Sequence, residues 1–425
     1  YKMVPYTREM YERSGERIMS ALLLSTARSR GDVRIQEKEV LVYNAPPPPY
    51  ASGVALVSVS ELFPFHFVPS ISETEELTFH ERLELSFQVA LVTGIDILGS
   101  ITAVLVKIGE RFAQGAGGAS LSRYLLHPKA LYRLSRGLIR SRLAGRPMLP
   151  KDLWDVKGIT CGGTDSSLYK GIIEDYWGVR PLELYASTET GGTAAVEAWS
   201  GNGLYFFPDV VFLEFIPEAE WSRNREDPSH RPATVLLDEV QPGQRYELVI
   251  TSLHGGPFLR YRMRDLIRFV SLQDAENQIQ LPAMYCVGRS DGLIDLVGFS
   301  GPIDESMVWT AIHKTDIPYE EWTIRKEVAD GGPILHLYIE LRENLSAAEV
   351  RERVHAQLKE LNPFYADMEE MLEIVPLRVT VLSPGTFRRY FLERQAAGAD
   401  LAHMKPPHMN PSDAIVNDLL RLSNP

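Results

Sequence analysis

The chain has 425 residues, 44% hydrophobic and 24% charged, a balance that excludes a disordered or fibrous protein and a length that calls for a large domain with a smaller companion. Its 44 Lys and Arg against 56 Asp and Glu give a formal charge of -12, which argues against nucleic acid as the partner, since a phosphate backbone calls for a basic face. Two cysteines, Cys161 and Cys286, are too few for a disulfide framework and no Cys/His cluster has zinc spacing, so a reducing, cytoplasmic setting is expected.

In chain order, residues 7–30 carry Met10, Ile18, Met19, Leu22 and Leu23 at helical spacing, which predicts a long amphipathic helix ending by Gly31. Leu41–Asn44 reads as a strand that runs into Pro46–Pro49, a stiff surface turn. The aromatic run Phe63-Pro-Phe-His-Phe67 is either core or the wall of a substrate pocket, with Phe65 lining it and His66 near a substrate carboxylate. Helix, turn and helix are expected over 84–114, with Gly94 and Gly99 as breaks. The apolar stretch from Phe87 to Val106 is interrupted by Gln88 and Asp96, which argues against a membrane span. The glycine cluster at 115–118 lacks a following Lys-Ser/Thr and is not a phosphate loop, and the basic run from Arg133 to Arg146 reads as a solvated helix face.

A helix over 167–177 stops at Gly178, and a short strand follows at 181–185, the alternation of an α/β layer. Further strands are expected at 211–216, 246–251, 266–270 and 335–341. After Gly298 come a helix at 304–313, a strand pair, a charged helix at 346–361, a strand near 373–381 and a tail. The expected fold is therefore α/β: a large multi-layer N-terminal domain over 1–290, then a small α+β C-terminal domain over 291–425.

Three segments carry chemistry. Cys161-Gly-Gly-Thr-Asp165, a helix, and Leu184-Tyr-Ala-Ser-Thr-Glu-Thr-Gly191 bring a glycine loop and a polar strand end to one sheet edge, where ligands of open α/β sheets collect. Glycine lets backbone approach a flat base, Thr188 can bond a phosphate oxygen and Glu189 offers a hard carboxylate to Mg²⁺; a plain Gly/Ser/Thr turn fits the same residues. Gly256-Pro-Phe-Leu-Arg-Tyr-Arg-Met-Arg-Asp265 sets a carboxylate after alternating basic residues, suited to two ribose hydroxyls or to a surface ion-pair ladder. Gly288-Arg-Ser-Asp-Gly292 flanks an acidic residue with glycines, as a hinge or a simple turn would.

Tyr185-Ala-Ser-Thr-Glu189 resembles the aromatic-small-x-Thr-Glu signature of the superfamily of acyl-CoA synthetases, nonribosomal adenylation domains and luciferases. Its Ala and Ser look most like the acyl-acid amido synthetases of the Gretchen Hagen family. The resemblance implies that Tyr185 lies against adenine with Gly162 and Gly163 at its edge, that Ser187 and Thr188 face the nucleotide, and that Glu189 binds Mg²⁺. Arg260-Tyr-Arg-Met-Arg-Asp265 is similar to an Arg-Tyr-Arg-x-Gly-Asp motif, which assigns the ribose to Asp265 and leaves Arg264 where glycine is usual. Gly288-Arg-Ser-Asp291 resembles a hinge motif: Arg289 would contact the nucleotide and Asp291 would be the pivot of a mobile C-terminal domain. Asp295 replaces the lysine often found there. Gly398 to His408 resembles the closing segment of the amido synthetases, with Lys405 as the lysine that neutralises the reacting phosphate and His408 where arginine is frequent.

The superfamily's Ser/Thr/Gly-rich phosphate loop has no match. Tyr1-Lys-Met-Val-Pro-Tyr-Thr7 looks like the stretch just after it, so the chain is expected to begin inside that loop with Lys2 as its trailing lysine. The resemblance thus implies a ligase that uses ATP and Mg²⁺ to make an acyl-AMP, with Thr188, Glu189 and Lys405 catalytic, and passes the acyl group to an amino acid or amine. Transfer to CoA is the alternative, suggested by likeness to phenylacetate-CoA ligases, and a catalytically silent binding relative is a second. Which acid is used and the oligomeric state are not written in these motifs.

Overall fold

The computed structural model describes residues 3–74, 77–114, 127–162, 166–227, 229–290, 292–297, 301–329, 332–372, 375–396 and 408–423. Contacts divide the chain into two units, Tyr1–Ser290 and Asp291–Pro425.

The first unit opens with α1 (Arg8–Thr26), started by Thr7, whose hydroxyl accepts from the Met10 amide at 3.1 Å. It ends at Thr26, short of the expected Gly31. β1 (Val40–Tyr43), α2 (Ala51–Leu62), β2 (His66–Val68) and α3 (Phe79–Thr93) follow. The stretch expected as helix, turn and helix contains a strand, β3 (Ile97–Ile101), before α4 (Thr102–Ala113). Gly99 hid that strand; a side chain there would crowd Thr160 Oγ1 at 3.3 Å on the neighbouring strand. Then come α5 (Pro128–Leu143), α6 (Pro150–Leu153), β4 (Gly158–Gly162), α7 (Ser166–Trp177) and β5 (Leu182–Ser187). The remainder is β6 (Gly192–Glu197), β7 (Leu204–Phe206), β8 (Val211–Pro217), α8 (Glu218–Glu226), β9 (Arg245–Ser252), β10 (Tyr261–Ser271) and β11 (Ala283–Arg289).

The basic run on α5 is only partly a solvated face. Arg133 donates to the carbonyls of Leu91, Val92 and Thr93 at 2.9, 2.7 and 3.1 Å, satisfying the end of α3, while Arg136 and Arg140 pair with Asp155.

These strands form one sheet in the order β2-β1-β3-β4-β5-β6-β7-β11-β10-β9-β8. From β2 to β5 all pairs are parallel, and β1 and β4 are buried throughout, as strands covered on both faces must be. At β5 the sheet changes sense: β5 runs parallel to β4 and antiparallel to β6, and the rest is antiparallel. The antiparallel half surrounds Phe206, Phe215, Tyr246, Leu248, Ile267, Phe269 and Met284. Four strand spacings would set β5 and β10 about 19 Å apart in a flat sheet. Tyr185 of β5 nevertheless bonds Asp265 of β10 at 2.6 Å, so this half is strongly coiled.

The second unit has α9 (Glu305–His313), β12 (Tyr319–Ala329), β13 (Gly332–Leu341), α10 (Ala347–Leu361), α11 (Pro363–Leu372) and β14 (Leu377–Leu382). β12 is antiparallel and β14 parallel to the central, fully buried β13. The expected tail contains two helices, α12 (Thr386–Ala396) and α13 (Asp413–Ser423), whose Phe387, Tyr390, Val416 and Leu419 close over Tyr338 and Leu382. Glu340 starts α12 by accepting the amides of Gly385 and Phe387 at 2.5 and 2.9 Å. Residues 408–410 lie along β12, with the Ile324 amide donating to the His408 carbonyl at 2.7 Å and the Asn410 amide to the Ile324 carbonyl at 2.8 Å. The His408 ring stacks on Trp322 at 4.2 Å and bonds Glu305 and Glu321, so this side chain braces the segment. Among the described residues no helix is long and apolar enough to cross a membrane.

Candidate active site

The site grows from the point where the sheet changes sense. Beyond β5 the chain turns through Thr188 to Gly191, with the Gly191 amide bonded to the Thr188 carbonyl at 3.2 Å. Ser187 and Thr190 lock this turn: the Thr190 amide donates to Ser187 Oγ at 3.1 Å, and the Thr190 hydroxyl donates to the Gly192 carbonyl at 2.8 Å. Two side chains reach it from the N-terminal end of the chain. Tyr6 Oη donates to the Thr188 carbonyl at 3.0 Å, and Arg17 Nη2 donates to the Gly191 carbonyl at 2.9 Å. Glu189 therefore sits on a turn held at both ends. Gly192, at φ +109°, permits this approach, because a Cβ there would fall 2.6 Å from Ser14 Oγ of α1.

A second group meets the strand itself. Asp265 stands opposite Arg289 in the β10–β11 register, and Arg289 Nη1 donates to its carboxylate at 2.8 Å while the Tyr185 hydroxyl donates to the other oxygen. Burial first, and then the Asp265 charge, hold the Tyr185 phenol well above its usual range, so it stays a donor. Phe206 meets the Tyr185 ring edge-on at 6.3 Å. Just before Asp265, Arg264 has φ +67°, in the left-handed region, and the β9–β10 register shifts between Arg262 and Leu266. Arg264 thus adopts a backbone angle that glycine reaches most readily. Behind it, buried Glu247 accepts from Nε and Nη2 of Arg262 at 2.6 and 2.7 Å and from the Ser290 hydroxyl at 2.7 Å.

Arg17, Glu189, Thr190, Met10, Ser252 and His254 line a small cavity beside the turn. Burial pushes the Tyr6 phenol up to about 12. Among the described residues no group of three or more His, Cys, Asp or Glu is placed to hold a metal by itself. A single carboxylate such as Glu189 suits Mg²⁺ only when water and nucleotide phosphates complete its shell.

The structure brings Tyr185, Ser187, Thr188, Glu189, Asp265 and Arg289 together at one end of the coiled half. Gly162 ends β4 next door, buried, its carbonyl accepting from Thr102 at 3.2 Å. Gly163, Lys2, Asp291 and Lys405 lie outside the described residues. Phe65 and His66 are not brought to this group: Phe65 packs in a core with Leu41, Val59 and Ile97, and His66 is exposed on the edge strand β2. Sequence reasoning missed Tyr6, Arg17 and Lys170. Lys170 of α7 is buried between Glu183 of β5 and Glu197 of β6, at 2.8 Å from each, and so fixes where β5 lies. Arg17 did leave a signal: it shares a helical face with Met10, Ser14 and Ala21, all buried.

A sheet that passes from parallel to antiparallel at β5, followed by a small α+β unit, is a fold shared with a solved CoA ligase. The solved 2-hydroxyisobutyryl-CoA ligase in complex with 2-HIB-AMP and CoA matches it with a TM-score of 0.52 at 16% identity, over 92% of this chain and 72% of that one. Residues 204–283 match the model of the GH3 family central domain, and residues 306–413 that of the GH3 family C-terminal domain. It is 27% identical over 219 residues to a human GH3 domain-containing protein, covering 49% of this chain and 38% of that protein. It is 24% identical over 258 residues to the indole-3-acetic acid-amido synthetase GH3.3 of Arabidopsis thaliana, covering 56% of this chain and 41% of that protein. The chain thus spans about two fifths of the length of these relatives.

Proposed function

We propose that this chain is part of an ATP-dependent ligase that converts a carboxylic acid to its acyl-AMP and passes the acyl group to an amino acid or amine, giving an amide. The observation that carries the reading is the convergence of Tyr185, Asp265 and Arg289, three residues from separate motifs joined by bonds of 2.6 and 2.8 Å beside the Thr188–Glu189 turn. The Arabidopsis relative, an indole-3-acetic acid-amido synthetase by name, favours an amide product over a thioester. That Cys161 and Cys286 form no disulfide fits a cytoplasmic setting.

In this reading a carboxylate oxygen attacks the α-phosphorus of ATP and pyrophosphate leaves. The amine nitrogen then attacks the acyl carbon, AMP leaves with the C–O bond electrons, and the nitrogen loses a proton. Asp265, oriented by Arg289 and Tyr185, accepts from the ribose hydroxyls, and the faces of Tyr185, Gly162 and Gly163 take the base. Thr188 donates to an α-phosphate oxygen, with Ser187 bracing the turn. Lys2 and Lys405 neutralise phosphate charge, and Asp291 is the pivot between the two half-reactions. Glu189 would hold Mg²⁺, which offsets phosphate charge when bound.

Pyrophosphate release measured on single acids, then with an amino acid or CoA added, tests the reading. Amino acid raises turnover if it is right, and stimulation by CoA alone overturns the amide product.

A further inference from the structure

Arg17 is only 7% exposed, yet among the described residues its guanidinium makes a single hydrogen bond, to the Gly191 carbonyl at 2.9 Å, and no ion pair. Its Nε is buried with no partner. A guanidinium has five donors, and a buried charge without a counter-charge is costly, so such a group calls for an explanation. The acidic groups that act on it do not touch it. Asp209 is one, and it pairs with Arg13 at 3.0 Å.

The position of the side chain supplies the explanation. Arg17 and Glu189 line the same cavity, and the rest of the wall is apolar Met10, Val210, Val211 and Leu253 with polar Thr190, Ser252 and His254. The cavity is small, of a size for one anionic oxygen or one water rather than for a whole ligand. Ser14, one turn back on α1, is fully buried, and its hydroxyl also lacks a partner.

We propose that Arg17 is a binding residue for an anionic oxygen, of a carboxylate or a phosphate, seated beside the Glu189 turn. The proposal rests on the ligase reading only for the origin of that anion, either the acid substrate or the polyphosphate of the nucleotide. Its bond to Gly191 fixes the guanidinium, and the anion supplies the charge that the protein does not. A charge-assisted bond from a fixed guanidinium gives both direction and strength.

Thermal unfolding of the chain with inorganic pyrophosphate, or with butyrate, and no nucleotide tests this. The wild type is expected to melt higher with one of them: pyrophosphate alone marks a phosphate site and butyrate alone a carboxylate site. In Arg17→Met the anion binds at least about tenfold more weakly, its stabilising effect disappears, and the anion-free melting point is no lower than that of the wild type. Arg17→Lys keeps part of the response. The proposal is overturned if neither anion stabilises the wild type, if Arg17→Met keeps the full response, or if Arg17→Met and Arg17→Gln both melt below the wild type without anion. A normal anion response in a chain that exchanges no pyrophosphate into ATP with any acid would sink the ligase reading and leave this one standing.

Discussion

Two buried cations in the first unit show what burial means in opposite settings. Lys170 lies between Glu183 and Glu197, 2.8 Å from each, and although burial pushes its ammonium down, the two carboxylates outweigh it and hold the group above its ordinary value. Among the described residues Arg17 has one carbonyl and no carboxylate in contact, and burial wins: its guanidinium is held below its ordinary value. The same depth therefore marks a structural brace in one place and a waiting donor in the other. What separates them is the neighbours, not the exposure.

Variants can break this contrast at several strengths. The largest effect is expected from Lys170→Met, which leaves two carboxylates buried without a cation and should cost about 3–5 kcal/mol, read from urea unfolding. A loss below about 1 kcal/mol would make the triad as dispensable as a surface pair. Next come Glu189→Gln and Asp265→Ala, each expected to lower acid-dependent pyrophosphate exchange at least about tenfold with unfolding midpoints little changed. Near-normal exchange in either would remove that residue from the site.

Glu327 in the second unit, half-buried, offers a third node. Burial alone would raise its pKa, but His336, Tyr338 and Arg325 outweigh it and hold the carboxylate at about 2, while burial keeps His336 below its ordinary value. Both folded values lie below the unfolded ones. The stability these groups contribute is therefore full above the unfolded histidine value of about 6.5, and the Glu327 part is lost as the pH falls from about 4.5 toward 2. Urea titrations at descending pH should show the acid loss shrinking in Glu327→Gln; an unchanged slope would contradict it. The smallest effect in this series is the anion-free stability of Arg17→Met, expected to stay at or above the wild type.

Much of the fold was legible because apolar spacing reports burial. The α1 helix and strands β1, β8, β9 and β13 lie within a few residues of their expected places. β3 escaped notice because Gly99 and Ser100 lower its strand character, and α12 escaped because much of its surface is charged. In the site, the turn at 187–190 was legible from its polar residues at a strand end. The bond from Tyr185 to Asp265 was not, since 80 residues separate them and only the coil of the sheet brings them together. The aromatic run at 63–67 could not be assigned from composition, because core walls and pocket walls use the same side chains. Phe65 faces the core.

Arg264 carries one more consequence. Its φ of +67° lies in the left-handed region that glycine reaches most readily, and here a bulky side chain occupies it. A sequence search that demanded glycine before the aspartate would pass this chain by, although its backbone turns left-handed there. What the fold sets at that position is an angle, and glycine is only the commonest way of reaching it.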